Sequence, residues 1–311
     1  MTGAQSDTLK NHPLQLDITS AVLLQPDCGW LKDAQKLLAQ YNGQLGIQMH
    51  NTSSPELLDK AVSTKLPLSL HAPVFDKYQL NLAAANADIS WAILDHQYDI
   101  MKKHNINRAV FHGFLMTDQA IEAFGHGKDW YECMNRARRP ELLRAADSNF
   151  VCNFTQSAEF IARRNILKNN LQLLTEKYPD ICWCIENDYP GVVSGLLRGE
   201  DMQAIEHELC FDTGHMWITC KMLDLNMYEE LNTALSSGMV QMVHFHNSPY
   251  TFDMPHEQWS DGHQPLNTPG AMDLKRIAQT CKQSGVWHFV LEIGNASLAD
   301  VEIFLQYYFE E

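Results

Sequence analysis

The sequence predicts a fold of the α/β class, a (β/α)8 TIM barrel, in a single domain that spans residues 1–311. Two observations support this prediction. Short apolar segments alternate with amphipathic segments along the chain, as strands and helices do in parallel α/β proteins. Eight such apolar segments can be counted, and eight parallel strands close a barrel of this class. A doubly wound open sheet is the alternative architecture.

The eight predicted strands are short apolar segments. They are Leu14–Thr19, Leu45–His50, Leu66–His71, Ala109–His112, Cys182–Glu186, Leu209–Asp212, Val240–His246 and Phe289–Glu292. Helical patterns lie between them, for example at Leu31–Tyr41, Ala84–His104, Gln156–Lys177, Tyr228–Leu235 and Asp273–Gln283. The last of these follows Pro269–Gly270, and helices often start after such a pair.

The interval between the fourth and fifth predicted strands is too long for one loop and one helix. It holds about seventy residues, roughly twice what such a connection needs. We therefore predict an inserted helical or loop segment over residues 114–153, beside the mouth of the barrel. It includes the basic residues Arg136, Arg138 and Arg139. The segment could form a lid over a substrate or only decorate the rim, and the sequence leaves both roles open.

The charge of the chain limits its partners. It carries 38 acidic and 23 basic residues, which give a formal net charge of −15. Such a charge repels a phosphate backbone unless basic side chains or metals are concentrated locally. Nucleic acid is therefore a disfavoured partner, and a small molecule, either a sugar or a phosphoester, is the expected substrate.

Several features indicate a cytoplasmic protein. Residues Met1–Leu14 are polar and lack the basic start and apolar stretch of a secretory signal. No apolar run approaches membrane-spanning length, so no membrane partner is expected. The eight cysteines form no CxxC pair, and several lie in apolar strands, as reduced thiols of cytoplasmic proteins do. A homodimer is compatible with the sequence, although no interface pattern marks one.

Side chains suited to metal binding lie at the carboxyl-terminal ends of six predicted strands, where barrels of this class build their active sites. They are His71, His112, Glu186, Asp212, His244 and Glu292. Because side chains alternate across a strand, an inward Glu186 turns Cys184 inward and leaves Trp183 and Ile185 to pack against the outer helices. The same alternation holds on three further strands.

Two short segments add further candidate ligands. His215 lies about one turn beyond Asp212, and Asp261 and His263 lie on one side of an extended loop. Imidazole and carboxylate ligands without thiolate favour zinc, manganese, iron or cobalt. One to three divalent ions per chain would suit this number of ligands.

A structural role for these residues is the alternative, because a single histidine in an apolar strand is more often a hydrogen-bonded core residue than a ligand. The carboxylates favour the metal site. An unpaired carboxylate inside a barrel is costly and requires a cation nearby. Few lysines or arginines lie near the predicted strand ends, so a salt-bridge network is the weaker explanation for Glu186, Asp212 and Glu292.

Seven short motifs follow one another in order over roughly residues 66–294. They are HAP at His71–Pro73, FHG at Phe111–Gly113, IEN at Ile185–Asn187, DTGH at Asp212–His215, VHFHN at Val243–Asn247, DGHQPL at Asp261–Leu266 and LEIG at Leu291–Gly294. Together they resemble the xylose isomerase-like barrel superfamily. This superfamily includes sugar isomerases and epimerases as well as abasic-site nucleases of the endonuclease IV type.

The resemblance implies two overlapping sets of ligands. In the sugar enzymes a single metal is held by four residues, which correspond here to Glu186, Asp212, His244 and Glu292. In the nuclease a cluster of three zinc ions also uses five residues that correspond to His71, His112, His215, Asp261 and His263. All nine positions are filled, and the sugar enzymes keep many of the same histidines, so occupancy does not separate the two classes.

The seventh strand offers two histidines, His244 and His246, which point the same way by periodicity. The resemblance favours His244 as the ligand, because the histidine of the family is followed after two residues by Asn or Asp, here Asn247. His246 would then contact substrate or a second metal. Two departures from the family affect substrate contacts: the glutamate often found on strand two is Gln48, and a Gly-Glu-Gly segment is replaced at 267–270.

These observations predict a metal-dependent enzyme. The first expectation is a sugar or sugar-phosphate isomerase or epimerase, in which Glu186 and Glu292 move a proton at the carbon next to a metal-bound carbonyl. The alternative is an endonuclease IV-like multi-metal phosphodiesterase, in which Glu186 bridges metals. A barrel that only binds a ligand is the third possibility, and it would be expected to lack some ligands. The acidic charge and the sparse basic rim favour the sugar enzyme.

Overall fold

A closed parallel barrel is the central feature of the structure, a computed structural model that describes residues 12–125 and 127–310. Its strands are β1 (Gln15–Thr19), β2 (Gln44–Met49), β3 (Leu68–Ala72), β4 (Arg108–Phe111), β5 (Cys182–Glu186), β6 (Leu209–Asp212), β7 (Val240–His244) and β8 (His288–Leu291). Each strand pairs in parallel with the next, and β8 closes the barrel against β1 between Gln15↔His288 and Ile18↔Leu291. The predicted barrel is confirmed, and the open sheet is ruled out.

Ten α-helices are found in the described residues. They are α1 (Leu31–Gln40), α2 (Pro55–Ser63), α3 (Asp88–His104), α4 (Trp130–Asn135), α5 (Ala158–Lys177), α6 (Gly199–Ala204), α7 (Thr213–Leu223), α8 (Met227–Ser236), α9 (Leu274–Gln283) and α10 (Leu298–Phe309). Within the same part of the chain, none is long and apolar enough to cross a membrane. Five helices match predicted patterns, although α3 begins at Asp88 rather than at Ala84 because the side chain of Asn86 accepts a hydrogen bond from the Asp88 amide at 2.8 Å.

The barrel separates two apolar layers. Inside it, Val110, Cys184, Cys210, Met242 and Val290 pack against one another. Residues of the opposite parity, such as Trp183 and Phe289, join the larger core between the strands and the helices. This is the alternation predicted for Glu186 and Cys184, and it directs the strand-end residues toward the barrel axis. All eight cysteines are free thiols.

A buried polar network lies in the lower half of the barrel. The Asp17 carboxylate accepts hydrogen bonds from Ser69 Oγ at 2.5 Å, Gln15 Nε2 at 2.5 Å and His288 Nε2 at 2.9 Å. Burial alone would raise the pKa of Asp17, but His288 and these hydrogen bonds together lower it. Residue 46 on β2 must be glycine here, since a Cβ atom would lie 2.1 Å from Asp17 Oδ1. The network ties β1, β3 and β8 together.

The Asp17 network supplies a test of stability. We expect Asp17→Ala to lower the free energy of unfolding by about 3–5 kcal/mol, because it leaves buried donors on three side chains without an acceptor. Urea denaturation followed by circular dichroism measures this change. The control is Asp33→Ala, which removes an exposed pair with Lys36 and should leave the free energy of unfolding nearly unchanged. Equal losses in the two variants would contradict a stabilising role for the network.

Candidate metal centre

The residues predicted to bind metal come together at the carboxyl-terminal ends of the strands. Each has a nitrogen or carboxylate oxygen within 4 Å of another member, so they form one connected cluster, called here the candidate metal centre. Its members are His71, His112, Glu186, Asp212, His215, His244, Asp261, His263 and Glu292. Within the cluster, three smaller groups can be distinguished.

The first group surrounds one oxygen of Glu186. Glu186 Oε2 lies 3.3 Å from His71 Nε2 and 3.5 Å from His112 Nε2. Both histidines follow the predicted pattern, His71 on β3 and His112 directly after β4. The three ligand atoms lie close enough together to hold a single ion.

The second group uses the other oxygen of the same carboxylate. His244 Nδ1 lies 2.8 Å from Glu186 Oε1, 3.1 Å from Glu292 Oε2 and 3.8 Å from Asp212 Oδ2. These four residues are the set that the resemblance assigns to a single metal. Glu186 therefore presents one oxygen to each of two neighbouring groups.

The third group combines one residue of α7 with two residues of the loop beyond β7. Asp261 Oδ2 is 3.1 Å from His215 Nε2 and 2.7 Å from His263 Nε2. His215 is placed by α7, which begins directly after β6 because Asp212 Oδ1 accepts a hydrogen bond from the His215 amide at 2.6 Å. Asp212 thus caps a helix with one oxygen and leaves Oδ2 for the second group.

The distances fit the coordination of divalent ions. Two ligands about 2.0 Å from a tetrahedral zinc ion lie about 3.3 Å apart, close to several of the separations measured here. Among the described residues, the buried oxygens Glu186 Oε2, Asp261 Oδ1 and Glu292 Oε2 have no hydrogen-bond partner. Buried carboxylate oxygens without a partner are costly, and a bound cation removes that cost. The donor set is therefore suited to divalent metal.

Hydrogen bonds orient three of the histidine rings. His112 Nδ1 lies 2.9 Å from Asp188 Oδ1. His215 Nδ1 lies 3.0 Å from the Asn187 carbonyl, and His263 Nδ1 lies 3.0 Å from the Glu292 carbonyl. In each ring Nε2 is left facing a carboxylate of the cluster. Metal-binding histidines commonly have this arrangement, with the distant nitrogen donating to a carbonyl or carboxylate.

Asp188 and His50 contribute to the site but are absent from the predicted set. Asp188 Oδ2 accepts hydrogen bonds from the amides of Gly195 and Leu196 at 3.1 and 3.0 Å, which fixes the carboxylate against His112. His50 Nε2 lies 3.8 Å from Glu292 Oε1. The position of His50 at the end of the second predicted strand was the available signal, whereas nothing in the sequence distinguishes Asp188.

The structure separates the two histidines that periodicity could not. Strand β7 ends at His244, and His246 follows outside the strand. His246 is fully buried, is absent from the residues that line the cavity, and lies with Nε2 3.2 Å from Asp212 Oδ2. Its ring stacks on His263 at 4.2 Å. His246 also belongs, with His263 and Glu292, to a group that could hold an ion, so its expected contact with substrate or a second metal stays a prediction.

The electrostatics favour ionised carboxylates at the centre. Burial opposes ionisation of Glu186, but His244 and His112 outweigh it and hold the pKa of this carboxyl well below its ordinary value. His263 and His215 do the same for the pKa of Asp261. Burial opposes charge on His263 as well, yet Asp261 and Glu292 raise its pKa to about 10. The carboxylates thus remain available as ligands at neutral pH.

A cavity of about 410 Å³ lies over the candidate metal centre. Its lining includes histidines and carboxylates of the centre. Phe124, Trp130, Tyr131 and Met134, all within residues 114–153, also line it. Four residues of the predicted insert thus line the cavity, and its role as a lid or as a decoration of the rim stays open.

The basic residues of the same segment bind within the protein. Arg136 pairs with Glu122, and Arg138 donates to the Ser148 carbonyl at 2.6 Å. Arg139 forms a two-point contact with Glu159 at 2.6 and 2.9 Å. Arg139 thus connects the segment to α5, whereas Arg136 and Arg138 bind within the segment, and the three are not arranged as a basic rim.

Solved structures of other proteins share this fold. The chain is similar to a D-tagatose 3-epimerase-like protein at 17% identity, with 95% of this chain and 97% of that chain covered and a TM-score of 0.56. It is similar to endonuclease IV from Thermus thermophilus at 15% identity, with 94% and 99% covered and a TM-score of 0.51. A third similar structure is the IolI protein with a zinc atom, at 13% identity, 95% and 99% coverage and a TM-score of 0.52.

These likenesses confirm the TIM-barrel fold that the sequence predicts. At such identities they show the fold alone. No family model matches the chain, and no curated protein matches its sequence.

Metal content tests the third group directly. We expect tag-free protein, purified without chelators, to carry more than one equivalent of divalent metal per chain by elemental analysis. His263→Ala should lose about one equivalent, because it removes one of three ligands from the third group. The control His96→Ala, an exposed histidine on α3, should keep the full content. One equivalent that is unaffected by His263→Ala would indicate a single-metal site, and none under replete conditions would return the histidines to a structural role.

Proposed function

We propose that this protein is a metal-dependent phosphoester hydrolase that acts on a small substrate. The observation that carries the proposal is the division of Glu186 between two groups, with one oxygen facing His71 and His112 and the other facing His244. A third group, centred on Asp261, lies in the same cluster. A single-metal isomerase needs only the second group, so in such an enzyme the other five residues would have roles other than binding that metal.

The residues of the chain have definable roles in such a reaction. Divalent ions bound here would acidify a water molecule and neutralise charge on the phosphoryl group. Glu186, Asp261 and Glu292 would supply carboxylate ligands to those ions, together with neutral histidines of the cluster. In the hydrolysis a bond forms from the water oxygen to phosphorus, the bond from phosphorus to the ester oxygen breaks, and the proton lost by water would pass to the departing oxygen.

His50 is placed to contact the substrate. Burial lowers its pKa to about 4, against the attraction of Glu292, so the ring is neutral at pH 7. Its Nδ1 lies 2.7 Å from Thr52 Oγ1, which leaves Nε2 on the side of Glu292 and the cavity. A neutral imidazole in this position can exchange a hydrogen bond with a phosphoryl oxygen without adding charge.

The surroundings of the centre favour a small substrate over nucleic acid. The cavity of about 410 Å³ has the size of small-molecule sites, which span roughly 300–1,000 Å³. Arg136, Arg138 and Arg139 are engaged in internal contacts. The net charge of −15 repels a polyanion.

A sugar isomerase or epimerase is the second candidate, because Glu186, Asp212, His244 and Glu292 complete the four-residue set that the resemblance implies. In that reaction Glu186 must move a proton to or from the substrate. Its Oε1 lies 2.8 Å from His244, and its Oε2 is enclosed by His71 and His112. Glu186 is also fully buried and absent from the residues that line the cavity, which is the reason for preferring the hydrolase.

The proposal predicts phosphoesterase activity in protein loaded with zinc or manganese, measured with p-nitrophenyl phosphate and bis(p-nitrophenyl) phosphate. Glu186→Gln removes the shared carboxylate and should reduce kcat by more than roughly 100-fold. Loss of a residue that only supports a ligand reduces activity by up to roughly 100-fold. Asp188→Asn, which weakens the orientation of His112, should reduce it by roughly 10- to 100-fold.

Glu176→Gln on the exposed side of α5 is the control and should retain full activity. Both Glu186→Gln and Asp188→Asn must keep the circular dichroism spectrum of the unaltered protein for the comparison to hold. Epimerisation of ketoses by the loaded protein, without turnover of either phosphoester, would contradict the proposal and favour the second candidate.

A further inference from the structure

A cluster of three aromatic residues lines the cavity beside the candidate metal centre. Trp130 and Tyr131 lie at the start of α4, and Tyr189 lies three residues after β5. The hydroxyls of Tyr131 and Tyr189 are 2.6 Å apart. The ring of Trp130 meets both tyrosine rings nearly edge-on, at 4.9 and 5.3 Å between centroids. We call these three residues the roof.

The roof is held in place by features of the backbone. A Cβ atom at residue 191 would lie 2.4 Å from Trp130 Cη2 and 2.9 Å from the Tyr189 ring, so only glycine leaves room for this packing. Asp129 caps α4 by accepting a hydrogen bond from the Glu132 amide at 3.1 Å. The rings are therefore positioned before any ligand arrives, and ligand binding need not order them.

The lining of the cavity combines polar and apolar side chains. Tyr189 meets the His215 ring of the candidate metal centre, 6.1 Å between centroids. The apolar side chains include Leu80, Leu115, Phe124 and Met134. Within residues 12–125 and 127–310, no lysine or arginine lines the cavity. A second anionic group on the substrate would therefore find no cationic side chain in the lining.

We infer that the roof is a subsite for a flat aromatic group, so that the substrate is a small phosphoester whose phosphoryl group lies at the metal centre and whose ester-linked group is aromatic. The inference rests on the proposed function. Aromatic rings recognise other rings through stacked and edge-on contacts, which the fixed geometry of Trp130, Tyr131 and Tyr189 offers.

The tyrosine pair adds a polar contact to this subsite. The two hydroxyls carry two protons, and only one proton is needed for the bond between them. The other proton is available to an acceptor on the bound ring. Burial keeps both phenols protonated by raising the pKa of Tyr131 and of Tyr189. The roof therefore suits a ring that carries an oxygen or nitrogen acceptor.

Calorimetric titration with two phosphonates, which cannot be hydrolysed, tests the subsite without requiring turnover. We expect metal-loaded protein to bind phenylphosphonate at least about tenfold more tightly than methylphosphonate. Trp130→Ala should remove most of this preference while changing the affinity for methylphosphonate by less than about twofold. Trp130→Leu keeps an apolar side chain without the ring, and we expect the same loss of preference. Phe252→Ala alters an exposed aromatic residue outside the cavity and should leave the preference intact.

The outcomes separate this inference from the proposed function. Equal affinities for the two phosphonates, or a preference that survives both Trp130 variants, would overturn the aromatic subsite. A preference that depends on Trp130, in a protein that hydrolyses no phosphoester, would support the subsite and overturn the hydrolase. If neither phosphonate binds the loaded protein, both proposals fall.

Discussion

The burial of one carboxylate determines the rest of the site. Glu186 has no exposed surface, and a charged group in that position requires cationic or hydrogen-bonding partners on every side. Histidines from β3, β7 and the residue after β4 supply them, so the partners of one side chain come from separate parts of the barrel. Closure of the sheet brings these parts together, because the carboxyl-terminal ends of all eight strands meet at one rim.

The outer contacts of the site follow from the same constraint. A ligand set fixes an ion only if its rings and carboxylates cannot turn, and here backbone groups limit their rotation. Asp188 accepts two backbone amides, and two of the histidine rings rest on carbonyls. The ligand residues thus lie on strand ends and short turns, while Trp130 and Tyr131 lie in a longer connection that Arg139 joins to Glu159 of α5.

The sequence was sufficient to predict the barrel and the members of the cluster, because period-two alternation and strand-end positions are local patterns. It could not choose between His244 and His246, since both share one parity and only the end of β7 separates them. Asp188 and the roof were missed for a different reason. The position of Asp188 depends on a turn at Gly195 and Leu196, and that of Trp130 depends on the space left at Gly191, more than fifty residues away.

The double use of Asp212 has a thermodynamic consequence. One oxygen caps α7 and the other faces the cluster. The ligand position of Asp212 is therefore formed only when α7 begins at this residue, as it does in the folded chain. An ion held through Asp212 would bind the folded chain and not the unfolded one. By mass action, each tenfold rise in its free concentration above the dissociation constant then adds about 1.4 kcal/mol to the stability of the fold. The stability of the fold and the metal occupancy of the site would then depend on the same binding equilibrium.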